Sequence, residues 1–274
     1  MTNPRLILDT SACCRIQRSS KRKEIEVHFE TTFRGVVSVQ TLWELMDRIS
    51  GGDGSHFLED QQAFNIAAGR RHPRMLPMPI AYAIETVLKL PRPKAALNPE
   101  SLLRMYTVIT RATSRDELYS GVALVRGAKQ LTVFAPDIVR QQQREGEEAH
   151  VKRLKWAQCK KVVLPSADKW ASDMVKRLGI SLDAEQSHRL GESLDAAYRF
   201  DMEIWRLATA PKSSYKPENH QNDWCDLQQT MYLCDPSIHL ITADNPLCKK
   251  ICASQQANRV HYLPDYLAMS GLSI

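Results

Sequence analysis

The sequence lacks the features of several common protein classes. No window approaches the roughly 18 consecutive apolar residues of a membrane-spanning helix, and residues 1–5 lead into a short strand-like run rather than the long apolar region of a signal peptide. The 11 glycines and 14 prolines are too scattered for a collagen-like or low-complexity chain. The seven cysteines form neither a regular disulfide framework nor a zinc-ligand pattern. We therefore expect a cytoplasmic protein with reduced thiols and no membrane partner.

The composition supports a folded protein with a modest basic excess. Of the 274 residues, 43% are hydrophobic, which is enough for a packed core. The 37 Lys and Arg exceed the 31 Asp and Glu, so that the formal net charge is +6. Such an excess is compatible with a polyanionic partner such as nucleic acid, and equally with an ordinary solvated surface.

Short apolar runs alternate with helical patterns near both ends of the chain. Strands are predicted at 6–8, 36–39, 238–242 and 259–263, and helices at 41–49 and 245–256. Because strands that alternate with helices usually form parallel sheets, this pattern predicts an α/β fold with its chemistry at the carboxyl ends of the strands.

The middle of the chain differs from its two ends. Residues 51–214 contain mainly helical patterns broken by prolines, and they are predicted to form a helical insertion in a core made of 1–50 and 215–274. One further core strand is expected in this stretch, either at 131–134 or at 162–164. We favour the second, which places a core strand within 160–165.

Carboxylates recur where the predicted strands end and the next helices begin. These acids are Asp9, Glu44, Asp223, Asp226 and Asp244. In one crevice, like charges would raise one another's pKa, and a hard divalent cation relieves that repulsion. Oxygen-only ligands favour Mg²⁺ or Mn²⁺ over zinc, and such ions activate water for attack on phosphate. The pattern predicts metal-dependent phosphodiester hydrolysis, and no serine-hydrolase, nucleotide-binding or zinc-protease motif competes with it.

Two of the acids also have a structural interpretation at the start of a helix. Asp9 could cap the helix after the first strand, but Thr10 and Ser11 are available for that role, so we favour a functional role for Asp9. Glu44 follows Thr41 by three residues, which is the spacing of a capping box. Taken alone, Glu44 is better explained by that box.

The remaining acids differ in how readily structure explains them. Asp223 and Asp226 share a helix face, where they could simply interact with the positive end of the helix dipole. Asp244 has no structural role that we can name, because Asn245 and Pro246 already suit the start of the next helix. Asp244 and Asp9 are therefore the strongest functional candidates.

Four segments that carry these acids resemble, in order, the motifs of PIN-domain proteins. They are Leu-Ile-Leu-Asp-Thr-Ser at 6–11, Val-Ser-Val-Gln-Thr-Leu-Trp-Glu-Leu at 37–45, Asn-Asp-Trp-Cys-Asp at 222–226 and Leu-Ile-Thr-Ala-Asp-Asn at 240–245. The resemblance implies a three-layer α/β/α core with a central parallel sheet. It also implies Mg²⁺- or Mn²⁺-dependent cleavage of RNA, usually single-stranded or looped.

The resemblance further implies roles for individual residues. It places Asp9, Glu44, Asp226 and Asp244 as catalytic metal ligands, with Asp223 as an accessory metal ligand. Thr242, together with Thr10 or Ser11, would hold the metal ligands in orientation without binding the metal itself.

The expected function is therefore a divalent-metal-dependent endoribonuclease that could act as a regulated or toxic effector. The alternative is a catalytically silent PIN-like module that binds RNA or a protein partner. A structure-specific DNA nuclease is less favoured, and so is DNA as a partner. An inhibitory protein partner or a homo-oligomer is compatible with the sequence.

Basic groups are spread through the predicted insertion. They are Arg70-Arg71-His72-Pro73-Arg74, Lys89, Arg92, Lys94, Arg140, Arg144, Lys152, Arg153, Lys155, Lys160 and Lys161. Such groups either hold a phosphate backbone near the acids or form solvated helix faces. Both interpretations stay open at the level of sequence.

Overall fold

A five-stranded parallel sheet organises the computed structural model, which describes residues 3–50, 54–68, 74–93, 106–119, 122–123, 131–132, 136–159, 163–211 and 213–274. In spatial order its strands are β3 (Arg74–Met75), β2 (Arg34–Val37), β1 (Arg5–Leu8), β6 (Ile238–Thr242) and β7 (Val260–Tyr262). Every neighbouring pair is parallel. A separate antiparallel pair consists of β4 (Val122–Ala123) and β5 (Leu131–Thr132).

Helices cover both faces of this sheet. In the first half of the chain they include α1 (Thr10–Arg18), α2 (Arg22–Thr32), α3 (Val39–Ser50), α4 (Phe57–Ala68), α5 (Pro79–Ala83, continued by a π-helical turn at Ile84–Leu88) and α6 (Arg115–Tyr119). In the second half they are α7 (Pro136–Cys159), α8 (Ala167–Lys176), α9 (Ala184–Ser193), α10 (Asp195–Thr209), α11 (Asp223–Thr230), α12 (Asn245–Ile251) and α13 (Leu263–Met269). Short 3₁₀ turns lie at Pro217–Asn219, Met231–Cys234 and Ala257–Arg259. Within the described ranges, none of the helices is both long and apolar enough to cross a membrane.

The alternation of side chains along β1 separates two hydrophobic cores. Leu6 and Leu8 belong to one core and Ile7 to the other, because successive side chains of a strand point to opposite faces. The first core is closed mainly by α1 to α4 and α13, and the second by α5 and α7 to α12. The predicted three-layer α/β/α architecture with a central parallel sheet is confirmed.

The strand expected in the middle of the chain lies elsewhere. Residues 163–165 are not in a strand, and Val163 is 91% exposed; residue 162 lies outside the described residues. Leu131–Thr132 is a strand, but it pairs with β4 and not with the sheet; residues 133–134 are not described. The third strand is instead β3, which pairs with β2. With two residues and no apolar run, β3 has no sequence signal that periodicity could detect.

The segment 51–214 contributes to both sides of the sheet. It supplies β3 at one edge, α4 in the first core, and α7 to α10 in the second core. The predicted division into a core and an insertion stays a prediction, but the described part of this segment packs directly on the sheet.

Candidate acidic site

The centre of the sheet is the point at which the chain changes direction. β1 and β6 are neighbours, yet α1, which follows β1, packs in the first core, whereas α12, which follows β6, packs in the second. Two adjacent parallel strands whose helices depart to opposite faces leave a crevice at their carboxyl ends, the usual position of a binding site in such sheets. Asp9 directly follows β1, and Asp244 lies two residues after β6.

The side chain of Asp9 accepts hydrogen bonds from groups that follow β1 and from the last residue of β6. It is 6% exposed, and its Oδ1 accepts a hydrogen bond of 2.6 Å from the backbone N–H of Ala12, which makes Asp9 itself the N-cap of α1. The hydroxyls of Ser11 and Thr242 also donate to its carboxylate. The expectation that Thr10 or Ser11 would cap this helix is therefore wrong. Burial raises the pKa of Asp9 to about 6, although these hydrogen bonds act in the opposite direction.

Asp244 has a structural role that the sequence interpretation missed. It is the N-cap of α12, because its Oδ1 accepts a hydrogen bond of 3.3 Å from the N–H of Leu247. Asn245 and Pro246 are the first two residues of the helix and not its cap. The backbone N–H of Asp244 donates to the hydroxyl of Thr242 over 2.9 Å, so Thr242 links Asp244 to Asp9.

Glu44 is not part of a capping box. α3 begins at Val39, two residues earlier than predicted, because the Ser38 hydroxyl accepts a hydrogen bond of 3.0 Å from the N–H of Thr41. Thr41 is therefore inside the helix, and the predicted strand 36–39 ends at Val37. The Glu44 carboxylate accepts hydrogen bonds from the hydroxyl of Thr10 and from a thiol, that of Cys225. Burial, with a smaller contribution from the charge of Asp9, raises the pKa of Glu44 to about 7.

Asp226 is the acid on which the other charges converge. Burial and then the charges of Glu44 and Asp9 raise the pKa of its carboxyl well above the usual range, with smaller contributions from Asp244 and Asp223. Within the described part of the chain, no hydrogen bond or ion pair to its side chain offsets this repulsion. The four acids therefore share one neighbourhood, although they are far apart in the sequence.

Asp223 has a different environment from its neighbour on the same helix. Its Oδ1 accepts a hydrogen bond of 2.7 Å from Nζ of Lys250, and its Oδ2 accepts one of 2.6 Å from the Tyr215 hydroxyl. The Lys250 side chain is itself largely buried and also lies over the ring of Phe200. The carboxylate of Asp223 is thus neutralised within the protein, and its predicted role as an accessory metal ligand stays untested.

The donor set suits a hard cation, but it is not arranged as a finished metal site. Among the residues that the structure describes, no group of three or more His, Cys, Asp or Glu side chains is placed to hold a metal ion. Asp9, Glu44 and Asp244 instead accept hydrogen bonds from neighbouring hydroxyl, thiol or backbone groups. Carboxylate oxygens without a nearby compensating cation are nevertheless the ligand chemistry that Mg²⁺ and Mn²⁺ prefer.

Three groups near the acids were missed by sequence reasoning. Lys250 pairs with Asp223 across 27 residues, and Cys225 and Glu147 act on Glu44. Glu147 is 9% exposed on α7, inside the predicted insertion. No local pattern identifies these residues, since each one acts through a tertiary contact.

Most of the described basic groups of the insertion have acidic partners. Arg92 pairs with Glu85, Lys152 with Glu148, Arg153 with Asp201 and Lys155 with Glu218. The segment 70–73 and the basic residues Lys94, Lys160 and Lys161, for which both interpretations were left open, lie outside the described residues. Arg153 fits neither interpretation, because the carboxylate that it contacts, that of Asp201, is fully buried. Arg153 therefore stabilises the packing of the helices.

Comparison with known proteins adds no relative to this picture. No protein-family model, curated protein or solved structure matches the chain.

Proposed function

We propose that this protein is a divalent-metal-dependent endoribonuclease whose active site is the acid cluster at the carboxyl ends of β1 and β6. The cluster consists of Asp9, Glu44, Asp226 and Asp244. The observation that carries the proposal is the convergence of the other acids' charges on Asp226, a carboxylate without a neutralising partner among the described residues.

The contrast with a neutralised acid supports a cation at this cluster. Asp223 has Lys250 at 2.7 Å, whereas in the described part of the chain no Lys or Arg lies within ion-pair distance of any of the four acids. Uncompensated carboxylates in a partly buried crevice favour their protonated forms. A bound cation would remove that preference, so the site suits a positively charged ligand.

Each residue of the site would have its own role in the proposed reaction. The four acids would hold Mg²⁺ or Mn²⁺, which when bound supplies polarisation of a phosphate group and a lowered pKa for water. Thr242 and Ser11 would fix the orientation of Asp9 through the hydrogen bonds described above. Without the cation, burial raises the pKa of Glu44 to about 7, so binding of the cation would release a proton from this carboxyl near neutral pH.

RNA, single-stranded or looped, is the substrate class that we propose. The resemblance of the four segments to PIN-domain motifs supports RNA over DNA, and the net charge of +6 is compatible with a polyanion. Action as a regulated or toxic effector, an inhibitory partner or homo-oligomer, and a cytoplasmic location stay predictions.

A second candidate is the catalytically silent module that binds RNA or a protein. It is favoured by the absence, among the described residues, of three metal-binding side chains placed together. In that case the hydrogen bonds of Asp9 and Asp244 at the starts of α1 and α12 would be their main role.

A cleavage assay separates the two candidates. Labelled single-stranded RNA, hairpin RNA and single-stranded DNA are incubated with the protein in Mn²⁺, Mg²⁺ or EDTA, beside an Asp226→Asn variant. Asp173→Asn is the matched control, because Asp173 is exposed and pairs only with Lys169 in the described structure. Metal-dependent RNA cleavage that disappears in Asp226→Asn and persists in Asp173→Asn is the expected result. Binding of RNA without cleavage under any condition would support the silent module.

A further inference from the structure

We propose that His239 and His261 form a pH-sensitive contact that holds the edge strand β7 against β6. The two strands stay paired while the two imidazole rings together carry no more than one extra proton. When both rings are protonated, β7 separates from β6 more readily. This contact requires neither a bound metal nor nuclease activity, so it goes beyond the proposed function.

The two rings are joined by a hydrogen bond along their common plane. Nδ1 of His239 lies 3.0 Å from Nε2 of His261. The ring planes differ by only 5°, and the ring centroids are 5.4 Å apart. This centroid distance is close to the sum of the nitrogen–nitrogen distance and the two ring radii, so the two nitrogens point toward each other. The geometry is that of an imidazole–imidazole hydrogen bond, not of two rings that overlap face to face.

Such a hydrogen bond limits the number of protons that the pair can hold. One of the facing nitrogens donates its N–H, and the other must accept with a lone pair. A single extra proton can occupy the outer nitrogen of the donor ring without disturbing this hydrogen bond. A second extra proton would have to occupy the accepting nitrogen, where it would remove the hydrogen bond and place two positive charges side by side. The paired arrangement therefore excludes the doubly protonated state.

The strands that carry the two histidines meet at the edge of the sheet. β7 is the last strand in the spatial order, and it pairs with β6 at three positions, one of which joins Ile241 to His261. His239 lies two residues before Ile241, so both side chains are on the first-core face of the sheet. A short edge strand has few backbone hydrogen bonds to lose, which makes its local opening sensitive to one side-chain contact.

The surroundings of the pair oppose a second positive charge. Phe33 packs against His239, and Tyr266 packs against His261. The hydroxyl of Tyr266 lies 3.2 Å from Nε2 of His28, the nearest other imidazole from α2. Burial, and then the positive charge of Arg259, lowers the pKa of His239.

The second imidazole is disfavoured as a cation for a related reason. Burial, and then the charge of His239, lowers the pKa of His261. In the described part of the chain no carboxylate acts on either ring to offset these effects. Because the histidine pKa values are lowered in the folded state, the stability of the pairing is complete above the unfolded value and is lost as pH falls.

Hydrogen exchange of the β7 amide groups in the full chain measures the expected opening. A histidine of ordinary pKa, about 6.5, that can be protonated only after β7 opens raises the opening equilibrium about thirtyfold between pH 7.5 and pH 5. We therefore expect the protection factors of the β7 amides to fall by at least about thirtyfold over this range. At pH 5 they should also be lower than those of the central strand β1.

Glutamine variants test whether the histidine pair causes this fall. In His261→Gln the amide group can donate to Nδ1 of His239 or accept from it, but it cannot gain a proton. His239→Gln makes the same change in the partner ring, so the test does not depend on a single variant. His188→Gln is the control, because His188 is exposed on α9 and its partners there are Asp168 and Glu192.

The expected result is a fall in β7 protection that is about thirtyfold larger in the unmodified protein and in His188→Gln than in the two variants of the pair. An equal fall in all four proteins, or no fall in the unmodified protein, would overturn the proposal. Equal protection of β7 and β1 at pH 5 would also overturn it, because the whole sheet would then open together.

Discussion

Asp223 and Asp226 lie one turn apart on the same helix, but their environments are opposite. Asp223 is buried with a lysine and a tyrosine hydroxyl on its two oxygens. Asp226 is partly buried, has no such partner in the described structure, and is surrounded by the charges of other acids. Both residues are aspartates on the same helix, so neither residue type nor position explains the difference. What distinguishes a carboxylate with a structural role from a candidate metal ligand is whether the protein places a positive charge beside it.

The largest expected effect comes from removing the positive charge of Lys250, which neutralises Asp223. Lys250→Met would leave a buried carboxylate without its cation, which should lower the unfolding free energy by about 4 kcal/mol. Urea unfolding at pH 7.5 measures it. Asp226→Asn, by contrast, should leave the unfolding free energy unchanged or raise it. A loss in Asp226→Asn as large as that in Lys250→Met would remove the distinction between the two acids.

The second expected effect is a pH dependence of the unfolding free energy that comes from Glu44. The folded-state pKa of Glu44, about 7, lies above the value of 4.5 for the free side chain. A raised pKa means that the stability contributed by the group is complete below the unfolded value and is lost as pH rises through 7. The gain of Glu44→Gln over the unmodified protein should therefore be near zero at pH 4 and about 3 kcal/mol at pH 8.

The unfolding free energies of both proteins, measured from pH 4 to pH 8 in EDTA, test this expectation. Burial lowers the pKa of His150 to about 4, so His150 makes stability change with pH in the opposite direction. Because both proteins contain His150, its contribution cancels in the difference between their unfolding free energies. A gain that is constant across the pH range would contradict the assigned environment of Glu44.

The smallest effect separates the two roles of Asp244. Asn is as good an N-cap as Asp, whereas Ala is not, and loss of a cap typically costs about 1 kcal/mol. Asp244→Ala should lose that amount and Asp244→Asn less than half of it, as measured by urea unfolding. If the proposed function holds, both variants lose metal-dependent RNA cleavage. Cleavage retained by Asp244→Asn would reduce Asp244 to a cap alone.

The strands that are predictable from the sequence are those with apolar runs. Strands β1, β6 and β7 lie within one residue of their predicted bounds. The observed bounds of β2 differ from the predicted ones because Ser38 caps α3. Strand β3 was not predicted, because a strand of two residues has no hydrophobic period. The convergence of Asp9, Glu44, Asp226 and Asp244 followed from strand-end logic, which requires only a parallel sheet.

The structural roles of the acids were not predictable in the same way. Asp9, Thr10 and Ser11 are all good caps, and the choice among them depends on backbone geometry that the sequence does not encode locally. The pairing of Lys250 with Asp223 and the hydrogen bond from Cys225 to Glu44 depend on tertiary packing. Sequence reasoning therefore located the acids and could not assign their partners.

The most direct test of the central claim is a calorimetric titration with Mn²⁺ of the unmodified protein, Asp226→Asn and the control Asp173→Asn. If the acids around Asp226 form a cation site, the unmodified protein and Asp173→Asn bind Mn²⁺, and Asp226→Asn binds at least about tenfold more weakly. Equal binding by all three proteins, or no binding by the unmodified protein, would contradict the assignment of this crevice as a metal-dependent active site.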